Sequence, residues 1–147
     1  MKTINKKGFT LIELLAVIVI LAVIMVIAVP NILNVIDSTK KSAWESNVKL
    51  IEEAIELNNA IAGTNGVNRF DYNATCTSSA ETYGKDITTA IKSIVDISDT
   101  VVKCPADESG VNGGQLIIEP SSDGQFKGQS SYTIACTSSS CSSTKNE

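Results

Sequence analysis

Hydrophobic and polar positions are distributed very unevenly along this chain. Leu14 to Val29 is apolar without interruption, and the 23 residues from Leu14 to Ile36 carry no charge. Roughly 20 such residues let a helix cross the hydrocarbon core, so the stretch predicts a membrane-spanning helix. Beyond Pro30 the pattern becomes periodic. Ile36, Ala43, Trp44, Val48, Leu50, Ile51, Ala54, Ile55, Leu57 and Ile61 recur at spacings of three, four and seven, which makes one wide apolar face on a helix. Glu45, Lys49, Glu52, Glu53 and Glu56 fall opposite, with Glu45–Lys49 and Lys49–Glu53 at favourable four-residue spacing. Gly63 supplies a stop signal. The predicted helix runs from Phe9 to about Ala62, roughly 80 Å at 1.5 Å per residue. Pro30 lacks an N–H and crowds the carbonyl of Val26, so a bend or local unwinding is expected there.

After Gly63 the pattern changes. Residues 63–68 are turn-rich, and Arg69 to Glu81 reads as a polar loop holding Cys76. Ile87, Ala90, Ile91, Ile94 and Val95 predict a short amphipathic helix from about Asp86 to Val95. Thr100–Lys103, Gln115–Glu119 and Ser131–Cys136 read as strands, the first two separated by a turn near Gly113 and Gly114. The Ser/Thr-rich end, Thr137 to Glu147, reads as an exposed low-complexity tail. The expected fold is α+β, a long helix packed on a small antiparallel sheet of three or four strands.

Composition narrows the chemistry. The 147 residues include no histidine, which excludes Ser-His-Asp and Cys-His catalysis and removes the commonest zinc ligand. The first eight residues carry Lys2, Lys6 and Lys7 and no acid, so this end is expected on the cytoplasmic side. A secretory signal peptide has a shorter apolar region and a small-residue cleavage site, whereas here Pro30-Asn31-Ile32 follows. A plain signal anchor fits length and charge but leaves Glu13 unexplained. A carboxylate at the edge of an apolar run needs either headgroup contact or a specific partner. Cleavage between Gly8 and Phe9 would give Phe9 a free ammonium group one helical turn from Glu13. Paired within or between chains, these charges would also fix register, because other offsets leave a charge unpaired.

The string Lys6-Lys7-Gly8-Phe9-Thr10-Leu11-Ile12-Glu13-Leu14 resembles the processing motif of type IV prepilins and pseudopilins. The resemblance covers about a fifth of the chain, Met1 to roughly Pro30. It implies a type IV pilin fold, removal of residues 1–8 by a prepilin peptidase, and N-methylation of Phe9 by the same enzyme. It implies an assembly role for Glu13, a helix bend at Pro30, and an assembly platform with a motor ATPase as partners. Residues 9–36 would then be the membrane and assembly half of the helix, and 37–147 an extracytoplasmic head. The expected product is a homo-oligomeric surface filament, drawn from lipid-embedded precursors in the cytoplasmic membrane, with no cofactor and no enzymatic activity. A major pilin is the favoured role. A minor pilin or a pseudopilin of a secretion or DNA-uptake machine is the alternative, and a non-polymerising membrane-anchored binding domain is the rival from another class.

Cys76, Cys104, Cys136 and Cys141 all follow the apolar segment, and an even count in a small exported domain points to two disulfides. Cys76–Cys104 with Cys136–Cys141 is favoured, because the latter closes a four-residue loop; Cys104–Cys136 is the competitor. A tetrathiolate zinc site lacks the usual two-residue spacing, and free thiols are the third option. Loss of the three leader lysines makes the chain more acidic than its formal −4, which speaks against bulk attraction to nucleic acid without removing a local basic patch. Asp96, Asp99, Asp107, Glu108, Glu119 and Asp123 match no defined calcium loop and read as solvated surface. The sequon Asn73-Ala74-Thr75 reads as a chance match.

Overall fold

A computed structural model describes residues 8–65, 71–137 and 140–147, without the side chains of 62–65, 73 and 74. The leader lysines and the amide of the sequon therefore lie outside the described residues. The chain divides into two compact units, Met1–Thr39 and Lys40–Glu147. The first helix, α1 (Leu11–Asn65), runs through the described part of the first unit and opens the second.

In the first unit α1 is helical through Pro30. Of the expected bend or local unwinding, the unwinding is absent. Nearby polar side chains bond back to helix carbonyls: Asn31 Nδ2 donates to Ile27 O at 3.3 Å, and Thr39 Oγ1 to Val35 O at 2.7 Å. Such back-bonding leaves the asparagine amide satisfied without a partner from outside the helix.

The second unit is a helix on a sheet. Its sheet has the order β1 (Thr100–Lys103), β2 (Gln115–Pro120), β3 (Tyr132–Cys136), β4 (Cys141–Lys145), antiparallel throughout. Trp44, Val48, Ile51 and Ile55 form the buried stripe of α1 and share one core cluster with Val102, Leu116, Ile118 and Ile134 of the sheet. The register puts Val102 opposite Ile118 and Leu116 opposite Ile134, so one face of three strands is apolar. Trp44 also stacks at a tilt on Phe126, ring centroids 5.5 Å apart, and its indole N–H donates to Ser130 O at 2.8 Å. A buried tryptophan thus keeps a polar partner.

The head departs from the sequence reading in several places. The expected helix over 86–95 is one turn, α3 (Thr88–Ile91). Residues before it are claimed by β1: Ile87 N–H donates to Val102 O at 2.8 Å, and Asp86 bridges Lys103. Residues after it leave through turns such as Ser93 N–H to Ala90 O. Ile87 and Ile91 still enter the core, so the apolar spacing and the element type were sound and the helix's extent was not. Two further one-turn helices, α2 (Tyr72–Thr75) and α4 (Glu108–Asn112), lie in stretches read as loop or turn. Helix α1 passes Gly63 and reaches Asn65. Within the tail, Cys141–Lys145 is a strand, though most of its described residues are exposed as expected. β4 pairs with β3 from Tyr132↔Lys145 to Cys136↔Cys141.

One glycine is fixed by geometry. Gly114, at φ +65°, precedes β2, and a Cβ there would stand 2.6 Å from the Cys136 carbonyl oxygen. Both the left-handed backbone and the close approach exclude a side chain.

Candidate functional site

The start of α1 holds the residues singled out for chemistry. Gly8 is exposed, with open space where a Cβ would sit, and Phe9 is 90% exposed. Among the described residues nothing crowds the bond between them. Helix α1 starts two residues later, and Thr10 is its N-cap. Thr10 N–H and Thr10 Oγ1 both donate to Glu13 Oε2 at 2.8 Å, while Glu13 N–H donates to Thr10 Oγ1 at 3.4 Å. This reciprocal pattern is a capping box, and it satisfies two backbone donors that a helix start leaves open.

The capping box changes the role of Glu13 in the uncleaved chain. Phe9 N is still an amide there, so the carboxylate has no ammonium to meet. Thr10 occupies it instead, giving an acid beside the apolar run two donors at one oxygen. Thr10 was not singled out from the sequence. The Thr-x-x-Glu spacing ahead of an apolar run was the signal that would have found it.

From Leu11 to Ile27 every residue of the helix is exposed. Leu14, Ile18, Leu21, Ile24 and Ile27 are each about half exposed or more, because the rest of their surface is covered only by their own helix. The helix is long and apolar enough to cross a membrane. A water-facing surface of this kind needs lipid or protein against it.

A family model described as the prokaryotic N-terminal methylation motif matches residues 4–29. The chain carries a prepilin-type amino terminus. The match spans Gly8, Phe9 and Glu13 and stops one residue before Pro30. No curated protein and no solved structure matches the chain. The motif and the spanning-capable helix together support a membrane-anchored precursor, and the motif points to processing by a prepilin peptidase.

In the head, Cys76 is bonded to Cys104 and Cys136 to Cys141, with Cα separations of 5.6 and 4.1 Å. All four cysteines are in these bonds, so none is a thiol or a zinc ligand. The first bond is buried and ties the end of α2 to the end of β1; the second spans the β3–β4 turn. The acids set apart for calcium are scattered among local duties. Asp107 Oδ1 caps α4 by accepting Gly110 N–H at 2.8 Å, and Glu119 pairs with Lys103 across the sheet.

Proposed function

We propose that this chain is the major structural subunit of a type IV pilus filament, cleaved after Gly8 and N-methylated on Phe9. The observation that carries the reading is the capping-box start followed by an apolar half-helix with no cover of its own, all within the matched motif. Cleavage converts the Phe9 amide into an ammonium within one turn of Glu13. The carboxylate then has a charged partner to exchange for, or add to, Thr10. Pairing between chains with a one-turn stagger sets register, since any other offset leaves charge unpaired in an apolar bundle.

Burial alone does not draw subunits out of the bilayer, because lipid tails are as apolar as leucine. The work of extraction therefore falls to an external motor, and the half-helices of neighbouring copies replace lipid at the filament centre. A small head closed by two disulfides suits a subunit that stands outside the cell.

The test is intact-mass analysis of the sheared surface fraction of the native cells. Abundant chain beginning at methylated Phe9 is the expected result. Processed chain confined to the membrane would instead make it a minor pilin or pseudopilin. Glu13→Leu separates polymerisation from anchoring: it is expected to abolish surface filament while leaving membrane insertion intact, whereas a non-polymerising anchor would tolerate it.

A further inference from the structure

The apolar half of α1 carries few polar side chains. From Leu11 to Ile36 they are Glu13, Asn31 and Asn34. Glu13 and Asn31 are separated by about five full turns at 3.6 residues per turn, and Asn34 falls about 60° from both. All three therefore share one face of an otherwise apolar helix. Polar groups in such a segment face a partner rather than lipid tails.

Pro30 adds an acceptor to the same face, since it lies one turn before Asn34. It has no N–H to give the Val26 carbonyl, although α1 is helical through it. Asn31 does not close the gap, because its Nδ2 donates to Ile27 O. Val26 is 78% exposed, the most of any large apolar residue from Leu14 to Ile36, so the position is open. The Asn34 carboxamide is also exposed and makes no hydrogen bond among the described residues. Val26 precedes Ile36, the end of the uncharged run, by about 15 Å of helix, which is half of a hydrocarbon core of about 30 Å. Lipid tails offer a carbonyl at that depth no donor.

Self-complementarity selects a second copy of this helix as the occupant. Raising one copy outward by the one turn that brings its Phe9 ammonium to a neighbour's Glu13 sets its Val26 level with the neighbour's Pro30. The Val26 carbonyl points on toward the carboxy terminus, while the neighbour's Asn34 side chain leans back toward the amino terminus. The remaining offset, about 6 Å of rise, is thus closed from both sides. Copies at equal height would leave about 12 Å. One stagger in one direction serves both polar pairs, whereas a helix of unrelated sequence would have to match each separately.

We propose that the Asn34 carboxamide of one copy donates to the Val26 carbonyl of a neighbour raised by one helical turn. The inference rests on the assembly function proposed above and adds a second point of register, about 30 Å along the helix from the Glu13–Phe9 pair.

The test uses the full chain assembled in its native cells from a mixture of two variants, Val23→Cys and Ile27→Cys. All four native cysteines are in disulfides, so each variant brings one free thiol. At the one-turn stagger, position 23 of the raised copy is level with position 27 of its neighbour. Oxidation of sheared filaments should therefore link the two variants to each other well above either to itself. Asn34→Leu is expected to lower that preference, or the filament yield, by about threefold to tenfold, and Asn34→Gln, which keeps the carboxamide, to restore most of it. Pro30→Ala should show a similar drop, because position 30 regains an N–H that takes the Val26 carbonyl. Adding Asn34→Leu to Pro30→Ala should then cost nothing further. Additive losses, no filament in either background, or linking indifferent to Asn34→Leu would overturn the proposal. A defect confined to the membrane fraction, with filament register unchanged, would give the face to another occupant and overturn it too. No filament from the unsubstituted chain would sink the assembly reading together with this one, whereas filaments in another register sink this one alone.

Discussion

At the scale of single residues, two carboxylates act by holding a backbone start in place, and each implies a measurable outcome. Thr10 and Glu13 close the first turn of α1, so Thr10→Ala removes a cap that is typically worth about 1 kcal/mol. In micelles the amides of Leu11–Leu14 are expected to exchange about fivefold faster in Thr10→Ala, and at nearly the wild-type rate in Thr10→Ser, which keeps the hydroxyl. Unchanged exchange in the alanine variant would mean the cap contributes nothing. In the head, Asp86 Oδ1 accepts from Thr88 Oγ1 at 2.6 Å and from Thr88 N–H at 2.9 Å, and Thr88 Oγ1 in turn accepts Val102 N–H at 2.9 Å. The short chain fastens the covering segment to the edge of β1. The Thr88 hydroxyl, then its N–H, holds the Asp86 carboxyl below the ordinary carboxylate range. A depressed acid stabilises the fold fully above its unfolded pKa and stops doing so as pH falls through the folded value. Acid titration of the melting temperature should therefore show a decline beginning in the usual carboxylate range, and Thr88→Val should flatten part of it while leaving neutral-pH folding intact.

The same contrast between local signal and tertiary demand runs through the secondary-structure elements. Loop closure sets different values on the two disulfides. Cys76 and Cys104 lie 28 residues apart and Cys136 and Cys141 lie 5 apart. On chain entropy alone, removing the longer loop costs about 3.5 kcal/mol and the shorter about 2 kcal/mol. Denaturant unfolding of Cys76→Ser/Cys104→Ser and of Cys136→Ser/Cys141→Ser should show that order, and a reversed order would place the main benefit in the β3–β4 turn itself. Strands β1 and β2 were legible as short runs of Val, Leu and Ile, β3 by its alternation, and α1 because its stripe is long. β4 was not legible. Its Cys-Ser-Ser-Thr-Lys run has no apolar alternation, and what makes it a strand is non-local: a disulfide across the turn and Asn146 bonded to Ser131 and Thr133. The helix expected over 86–95 was overextended for the complementary reason, since periodicity recorded which side chains are buried but not that β1 needs a partner along its open edge. At the amino terminus, the glycine, phenylalanine and glutamate were readable as a motif, while the Thr10 hydrogen bonds needed coordinates.

For the molecule as a whole, the two units answer to different solvents. Every residue of the core cluster, from Trp44 to Ile134, lies after Lys40, and both disulfides lie there too. The first unit adds no residue to that cluster, and its apolar side chains are left for lipid or for other copies. Stability of the head and attachment to the membrane are thus encoded in separate stretches of one chain. It follows that Lys40–Glu147 made alone under oxidising conditions should be monomeric and soluble without detergent and should unfold in one cooperative transition. Its thermal midpoint should lie within a few degrees of the head transition of the full chain in micelles, since removing the first unit takes nothing from the core. The full chain should aggregate once detergent is withdrawn, because burying its exposed Leu, Ile and Val side chains is worth roughly 1.5–3 kcal/mol each and water offers nothing comparable. Size-exclusion chromatography and a melting curve for the two proteins decide the matter. A fragment that is molten or aggregated would show that the head depends on residues before Lys40, and stability and attachment would then not be separable.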